Sequence, residues 1–350
     1  MNIYKLSELT SEKKEFIMKR AESDISEQMK IAKEVSDDIR KRGDEAVLEY
    51  TAKFDHVTLS ADEMKVKPEE IEAGYERLDT ETREAIEYAV KNIRNFHSKQ
   101  MPEEMWFTEV DKGLLVGEKT TPIVDVCLYV PRGKGSFPSV LCMLATPAVV
   151  AGVEKIVVVT PPNEEGNVDD AILAAAKIIG VSEIYKVGGI QAVASVAYGT
   201  ETIPKCHKII GPGNAYATAA KRVLSNYIDS GLPAGPSECI ILADENADPE
   251  KVALDWMIEA EHGPDSAALL VTNCEELVYK AAEIVERQLE KISDKRREFV
   301  TANFNTYGGA IITESLEESI DFVNDYAPEH MEVMTKEPFV VLPKIKNAGE

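Results

Sequence analysis

The chain has 350 residues, enough for roughly two or three domains, each with its own core. Its 39 Lys and Arg against 62 Asp and Glu leave a net charge of −23, which repels nucleic-acid phosphates and anionic membranes. Hydrophobic residues at 44% and charged ones at 29% are an ordinary globular balance, which excludes a disordered chain.

The five cysteines, Cys127, Cys142, Cys206, Cys239 and Cys274, are odd in number and widely spaced, and no CxxC occurs. That argues against a disulfide scaffold and a thiolate zinc knuckle. The start MNIYKLSELTSEKKEF lacks the apolar core of a signal peptide, and no run approaches the ~18 apolar residues of a membrane span. A reduced, cytoplasmic protein is the expectation.

In chain order, helices come first. Residues 7–29 read as an N-terminal helix. Residues 31–54 place Val35, Ile39, Val47 and Leu48 at helical spacing, broken by the turn Arg42-Gly43-Asp44. Residues 80–97 carry Ile86, Val90, Ile93 and Phe96 on one stripe, and residues 65–67 read as a short extended piece before Pro68-Glu69-Glu70. The texture changes after Gly113. Residues 123–130 and 155–160 are short β-branched runs, apolar on both faces, as strands of a covered parallel sheet are. Between them, 139–151 read as a helix despite Pro147. Helix 169–179 capped by Gly180, strand 183–187, helix 190–198, strand 208–210 and helix 215–227 then alternate. A second run follows the Gly/Pro-rich 231–236: strand 239–242, helix 249–261, strand 267–272, helix 275–289, strand 310–312, helix 316–325 and strand 331–334. Repeated strand–helix–strand units predict an α/β fold with parallel-rich sheets.

Open α/β sheets bind ligands beyond the C-terminal ends of their strands. Four Gly-rich loops are expected there: Pro131-Arg132-Gly133-Lys134-Gly135-Ser136, Gly188-Gly189, Gly211-Pro212-Gly213-Asn214 and Ala234-Gly235-Pro236-Ser237. None is a GxGxxG fingerprint or a GxxxxGK[ST] loop, and each alone reads equally well as a turn. Together, their backbone N–H groups and helix starts suit a phosphate or pyrophosphate, so a nucleotide cofactor held without the standard fingerprint is one reading. Tyr129 is placed to stack on a flat ring, and Gln191 and Asn214 can donate and accept hydrogen bonds to a ribose or amide. Arg132 and Lys134 either favour an anion or are plain solvated charges.

Two histidine motifs stand apart. In Glu259-Ala260-Glu261-His262-Gly263-Pro264, Glu259 and His262 are three apart at a helix end. They form either half of a divalent-metal site or a carboxylate beside a histidine stabilised by the helix dipole. In Ala327-Pro328-Glu329-His330 a carboxylate adjoins an imidazole. In a loop both reach one site, where the imidazole takes a proton near neutral pH and the carboxylate steers water; otherwise they are two surface residues. His56, His97 and His207 read as structural or surface residues. Ser237 has no G-x-S-x-G elbow around it, and Cys239 reads as core.

At these residues the sequence resembles the histidinol dehydrogenase family. The resemblance is carried by RGDEAVLEYTAKFD, KVGGIQAVASVAYGTETIPKCHKIIGPGNAYATAAKR, PAGPSE, EAEHGPDS and NDYAPEH, spread over residues 42–331. It implies two incomplete Rossmann-like domains, one inserted in the other. It implies zinc-dependent homodimers that oxidise L-histidinol to L-histidine through an aldehyde, a four-electron reaction with NAD as acceptor. By the same resemblance, Tyr129, Gln191 and Asn214 contact the cofactor and Ser237 the substrate. Glu259 and His262 are the implied zinc ligands and also face substrate. His330 is the implied base that takes the hydroxyl proton while touching substrate, and Glu329 the residue that activates water for the second oxidation. The expected division is a helical segment 1–27, a discontinuous first α/β domain 28–130 and 238–350, and an inserted nucleotide-binding domain 131–237.

Three features depart from the family. Glu259 stands where the family has Gln, which adds negative charge to the metal site. PRGKGSFPS replaces the usual PGG-type loop. Family chains continue past the position of Glu350, and that further part supplies an Asp and a His zinc ligand and a substrate-binding Glu, the latter two across the dimer. A histidinol dehydrogenase is therefore the first expectation, with one zinc per site, incomplete in this chain, and a homodimer weakened to match. Two others stay open. One is an NAD-dependent dehydrogenase of another, anionic or sulfonated, alcohol, which the cationic Arg132-Gly133-Lys134 loop suits. The other is a truncated, inactive core that binds a nucleotide or a metal.

Overall fold

The computed structural model describes residues 1–20, 25–132, 135–231 and 236–349. Its strands are β1 (Ile3–Lys5), β2 (Met105–Asp111), β3 (Leu114–Lys119), β4 (Asp125–Tyr129), β5 (Lys155–Thr160), β6 (Glu183–Lys186), β7 (Ile209–Ile210), β8 (Glu238–Ala243), β9 (Ala267–Thr272), β10 (Gly309–Ile312) and β11 (His330–Met334). The chain forms two compact units, one of residues 24–234 and the other of residues 1–23 with 235–350.

In the 24–234 unit, four strands pair in parallel in the order β6-β5-β4-β7. Successive residues of β4 face opposite sides, as a pleated strand requires. Cys127 and Tyr129 enter a core with Ile39, Val47, Ile190 and Ala217, while Val126 and Leu128 enter another with Ile86, Leu141 and Ile172. Both faces are covered by helices, which is why the strand reads as an unbroken apolar run. The helix Thr80–His97 has the expected bounds but buries only Ile86 and Val90; Phe96 is 63% exposed. Pro147 lies inside the continuous helix Pro138–Val150.

In the other unit, five strands pair in parallel in the order β1-β10-β9-β8-β11. Cys239, Ile241 and Ala243 of β8 pack with Trp256 and Val278, and Ile240 and Leu242 pack with Ile320 and Val323 on the opposite face. The helices Pro249–Ala260, Glu275–Leu289 and Leu316–Tyr326 lie within one residue of their expected bounds.

The sheets group the chain differently from the expected domains. β4 lies between β5 and β7, so residues 24–130 belong with 131–231 rather than with 238–350. The N-terminal segment is not only helical: β1 joins β10, and the helices run Ser11–Lys19 and Ser26–Arg42 instead of 7–29. One unit does interrupt the other. Several elements lie outside the expected ones: β1, the short helices Ala61–Met64 and Pro338–Val341, the exposed antiparallel hairpin β2–β3 and the helix Asp294–Asn305. All five cysteines are free thiols. Among the described residues no helix is long and apolar enough to cross a membrane.

Candidate active site

The 24–234 unit carries Tyr129, Gln191 and Asn214. Tyr129 closes β4, and its ring is 2% exposed within the core, so it offers no open stacking face, contrary to expectation. What it offers is a hydroxyl, which accepts a hydrogen bond from the Gly189 N–H at 2.9 Å. Burial pushes the phenol up to about 12, so its own proton stays available for donation. Gly188 and Gly189 open the helix Gly189–Tyr198; a Cβ at Gly188 would lie 2.3 Å from Pro161 Cγ. Gly211, at φ +130°, lets the chain leave β7 past β4, since a Cβ there would lie 2.1 Å from the Tyr129 carbonyl oxygen.

Gln191 is the third residue of that helix and 1% exposed. Its Nε2 donates to Asp55 Oδ2 at 2.9 Å, and its Oε1 is buried with no hydrogen-bond partner among the described residues. A buried, unsatisfied amide oxygen at a helix start is a group awaiting a donor. Asn214 caps the helix Ala215–Val223: its Oδ1 accepts from the N–H groups of Tyr216 and Ala217, and the amide Nδ2 takes no part in the cap. Asp55 was not expected here. Burial, first of all, raises its carboxyl to about 6, against the lowering pull of Gln191, His56 and Arg132. The available signal was its place at the end of the matched RGDEAVLEYTAKFD stretch.

Within the Pro131–Ser136 loop, Gly133 and Lys134 lie outside the described residues; Arg132 Nη1 donates to the Pro162 carbonyl at 3.3 Å. Ala234 and Gly235 of the PAGPSE stretch also lie outside them. A cleft of about 460 Å³ in this unit is lined by His56, Lys67, Glu70, Gly166 and Lys186 among others, and none of the expected site residues lines it.

The other unit carries the polar motifs. Ser237 precedes β8, the loop from Glu261 to Ser266 leads into β9, and Glu329 precedes β11. The three strands are parallel neighbours, so these residues gather at the N-terminal edge of the sheet. For Ser237 this differs from the expected C-terminal edge; its carbonyl accepts the Ala267 N–H at 3.0 Å. Glu259, in the last turn of Pro249–Ala260, is 8% exposed. Its Oε1 lies 3.4 Å from His262 Nδ1 and has no hydrogen-bond partner among the described residues. A buried carboxylate oxygen beside an imidazole nitrogen fits a cation between them. No group of three or more His, Cys, Asp or Glu side chains suited to a metal occurs among the described residues.

Glu329 and His330 face each other, Oε1 to Nε2 at 3.9 Å, although adjacent residues of a strand would diverge. They can do so because the helix Leu316–Tyr326 ends at Ala327 in the left-handed region, φ +52°, and Glu329 still belongs to the turn. Farther along β11, Glu332 hydrogen-bonds Asp255, and burial together with that partner raises its carboxyl to about 7. Sequence reading passed over this pair because the two residues stand 77 positions apart in separate elements, as their numbering shows.

The family model described as histidinol dehydrogenase matches residues 18–350. A histidinol dehydrogenase of Synechocystis sp. is 49% identical over 99% of this chain and 80% of its own length. A histidinol dehydrogenase homolog of Colwellia psychrerythraea is 44% identical over the whole chain and 79% of its own length. The crystal structure of histidinol dehydrogenase from Elizabethkingia anophelis superposes with a TM-score of 0.91 at 35% identity, covering 99% of this chain and 79% of that one. With the motifs, the parallel sheets and these relatives in agreement, the chain belongs to the histidinol dehydrogenase family.

Proposed function

We propose that this histidinol dehydrogenase-type oxidoreductase carries out the NAD-dependent, four-electron oxidation of L-histidinol to L-histidine through the aldehyde. The observation that carries the reading is the Glu329–His330 pair, turned to face one another at the same sheet edge as Glu259 and His262. When bound, NAD supplies the hydride acceptor and zinc a Lewis-acid anchor for the substrate's nitrogens.

The chain's own residues do the rest. Glu259 and His262 would hold the metal, and Ser237, at the same sheet edge, would contact substrate. His330 accepts the hydroxyl proton as the carbinol hydride departs, which leaves the aldehyde. Glu329 accepts a proton from water as that water adds to the aldehyde, and the resulting hydrate anion loses its hydride to a second NAD, leaving the carboxylic acid, which ionises in water. Tyr129 donates its hydroxyl proton to the cofactor, Gln191 accepts through Oε1 and Asn214 donates through Nδ2. A homodimer and a cytoplasmic location belong to the same proposal.

The test is NADH formation from L-histidinol with zinc supplied, together with product analysis: L-histidine at half the molar amount of NADH is expected. A second reading, oxidation of an anionic alcohol, is supported by the exposed Arg132 guanidinium beside β4. A sulfonated propanediol in the same assay distinguishes the two. NADH from that alcohol and none from L-histidinol would replace the first reading with the second.

A further inference from the structure

We propose that Arg20 and Glu238 form a clamp that positions the turn carrying Glu329 and His330, so that both are positioning residues for the reaction. This rests on the reading that Glu329 and His330 do the chemistry.

Arg20 stands at the end of the helix Ser11–Lys19 with φ +58°, over 300 residues before the turn it touches. Its Nη1 lies 2.8 Å from Glu238 Oε1 and 2.7 Å from Oε2. Its Nη2 donates to the carbonyls of Tyr326 and, at 3.1 Å, Ala327. The guanidinium carbon sits 4.2 Å from the centre of the Tyr326 ring. One planar cation thus joins the first residue of β8 to the last residue of a helix and its C-cap. The Glu329 backbone N–H pulls the Glu238 carboxyl down against the burial that raises it. From the far side, the Gly349 N–H donates to the Pro328 carbonyl at 3.0 Å. The carbonyls of Tyr326, Ala327 and Pro328 are therefore each held by a neighbour outside the turn.

The physical need is plain. A helix C-terminus leaves carbonyls without intrahelical partners, and Ala327 adopts a left-handed conformation that a residue with a Cβ disfavours. Pro328 has no N–H to contribute. Left to itself this turn would sample several conformations, and Glu329 and His330 would not stay face to face. Arg supplies donors in a rigid fork that can serve a carboxylate and two carbonyls at once; a Lys cannot span the three. The pair is mostly buried, at 25% and 17% side-chain exposure, and Arg20 offsets the repulsion between the Glu238 and Glu329 carboxylates. A misplacement of about 1 Å at a reacting group can cost about 100-fold in rate, which sets the scale of the expected loss.

The test uses the full chain with Arg20→Ala and Arg20→Lys. Arg20→Ala should lower kcat by about 100-fold and Arg20→Lys by about 10-fold, with KM for NAD unchanged within about twofold. Added guanidinium ion should restore part of the Arg20→Ala loss. In a His330→Ala background, Arg20→Ala should lower the residual rate by less than about twofold, because the clamp acts through that residue. Hydrogen exchange supplies a readout free of substrate: the amides of residues 326, 327 and 329–331 should exchange about tenfold faster in both variants. Unchanged kcat, an equal loss in both backgrounds, or unchanged exchange at those amides would each overturn the proposal. Absence of L-histidinol turnover by the unaltered protein would instead refute the functional reading, and the exchange measurement would still decide the clamp. Should Arg20→Ala fail to fold, Arg20→Lys, which keeps the charge, carries the same comparisons.

Discussion

Replacing Asp55 with Asn should make the protein more stable at pH 8 while leaving its stability near pH 4 almost unchanged. The Asp55 carboxyl is held at about 6, against its ordinary 3.8, chiefly by burial. A carboxyl raised in the folded state contributes stability that is fully present below its unfolded value and is lost as pH rises through the folded one. The window here therefore runs from about 3.8 to about 6. The full shift corresponds to about 3 kcal/mol, and because Asp55 is partly open to solvent, water reduces this to about 1–2 kcal/mol. Asn removes the charge and keeps an oxygen for the 2.9 Å hydrogen bond from Gln191 Nε2. At roughly 2–4 °C per kcal/mol for a unit of this size, the gain in Tm at pH 8 is about 2–8 °C. Thermal melts of both proteins at pH 4, 5.5, 7 and 8 read it out. A gap that stays constant with pH, or a lower Tm for the Asn variant at pH 8, would refute the reasoning. The same variant should bind NAD about threefold more weakly, since a neutral amide no longer fixes which way Gln191 points.

Glu332→Gln mimics the protonated carboxyl that Asp255 and burial favour. The unaltered protein should lose urea resistance between pH 5 and pH 8 relative to this variant, because Glu332 is raised from 4.5 to about 7; parallel midpoints would contradict it. Tyr129→Phe strips the Gly189 N–H of its partner and should cost about 1–3 kcal/mol while weakening NAD binding, read by denaturant unfolding and calorimetry. Gly211→Ala must place a Cβ 2.1 Å from the Tyr129 carbonyl oxygen at φ +130° and should cost at least about 3 kcal/mol. Wild-type melting of that variant would show that the β4–β7 approach is looser than described.

Elements buried on both faces were the legible ones. β5 and β9 have their expected bounds because each is an unbroken apolar run between polar breaks. The hairpin β2–β3 was not legible: every residue in it is exposed, so no alternation marks its strands, and only Gly113 at φ +75° signals the turn. The helix Asp294–Asn305 buries just Val300, Asn303 and Phe304, too few for a stripe, although Ser293 was a usable cap signal. Sheet membership was misjudged for residues 28–130 because strand order is a property of pairing, which local pattern does not carry.

The site divides in the same way. Glu259 with His262 and Glu329 with His330 were legible because three-residue spacing and adjacency are local. Asp55 and Arg20 were not, since their partners Gln191 and Glu238 lie 136 and 218 residues away. The Tyr129 ring was misjudged for a related reason: the helices that bury it come from both earlier and later in the chain.

The most direct test of the central claim is NADH formation from L-histidinol and NAD, zinc supplied, by the unaltered chain and by His330→Ala. Turnover that falls by at least about 100-fold in the variant, with the fold intact by circular dichroism and NAD affinity unchanged, is the expected result. Equal turnover by both proteins would remove His330 from the chemistry. NADH absent from both, with NAD still bound, would contradict the L-histidinol assignment itself.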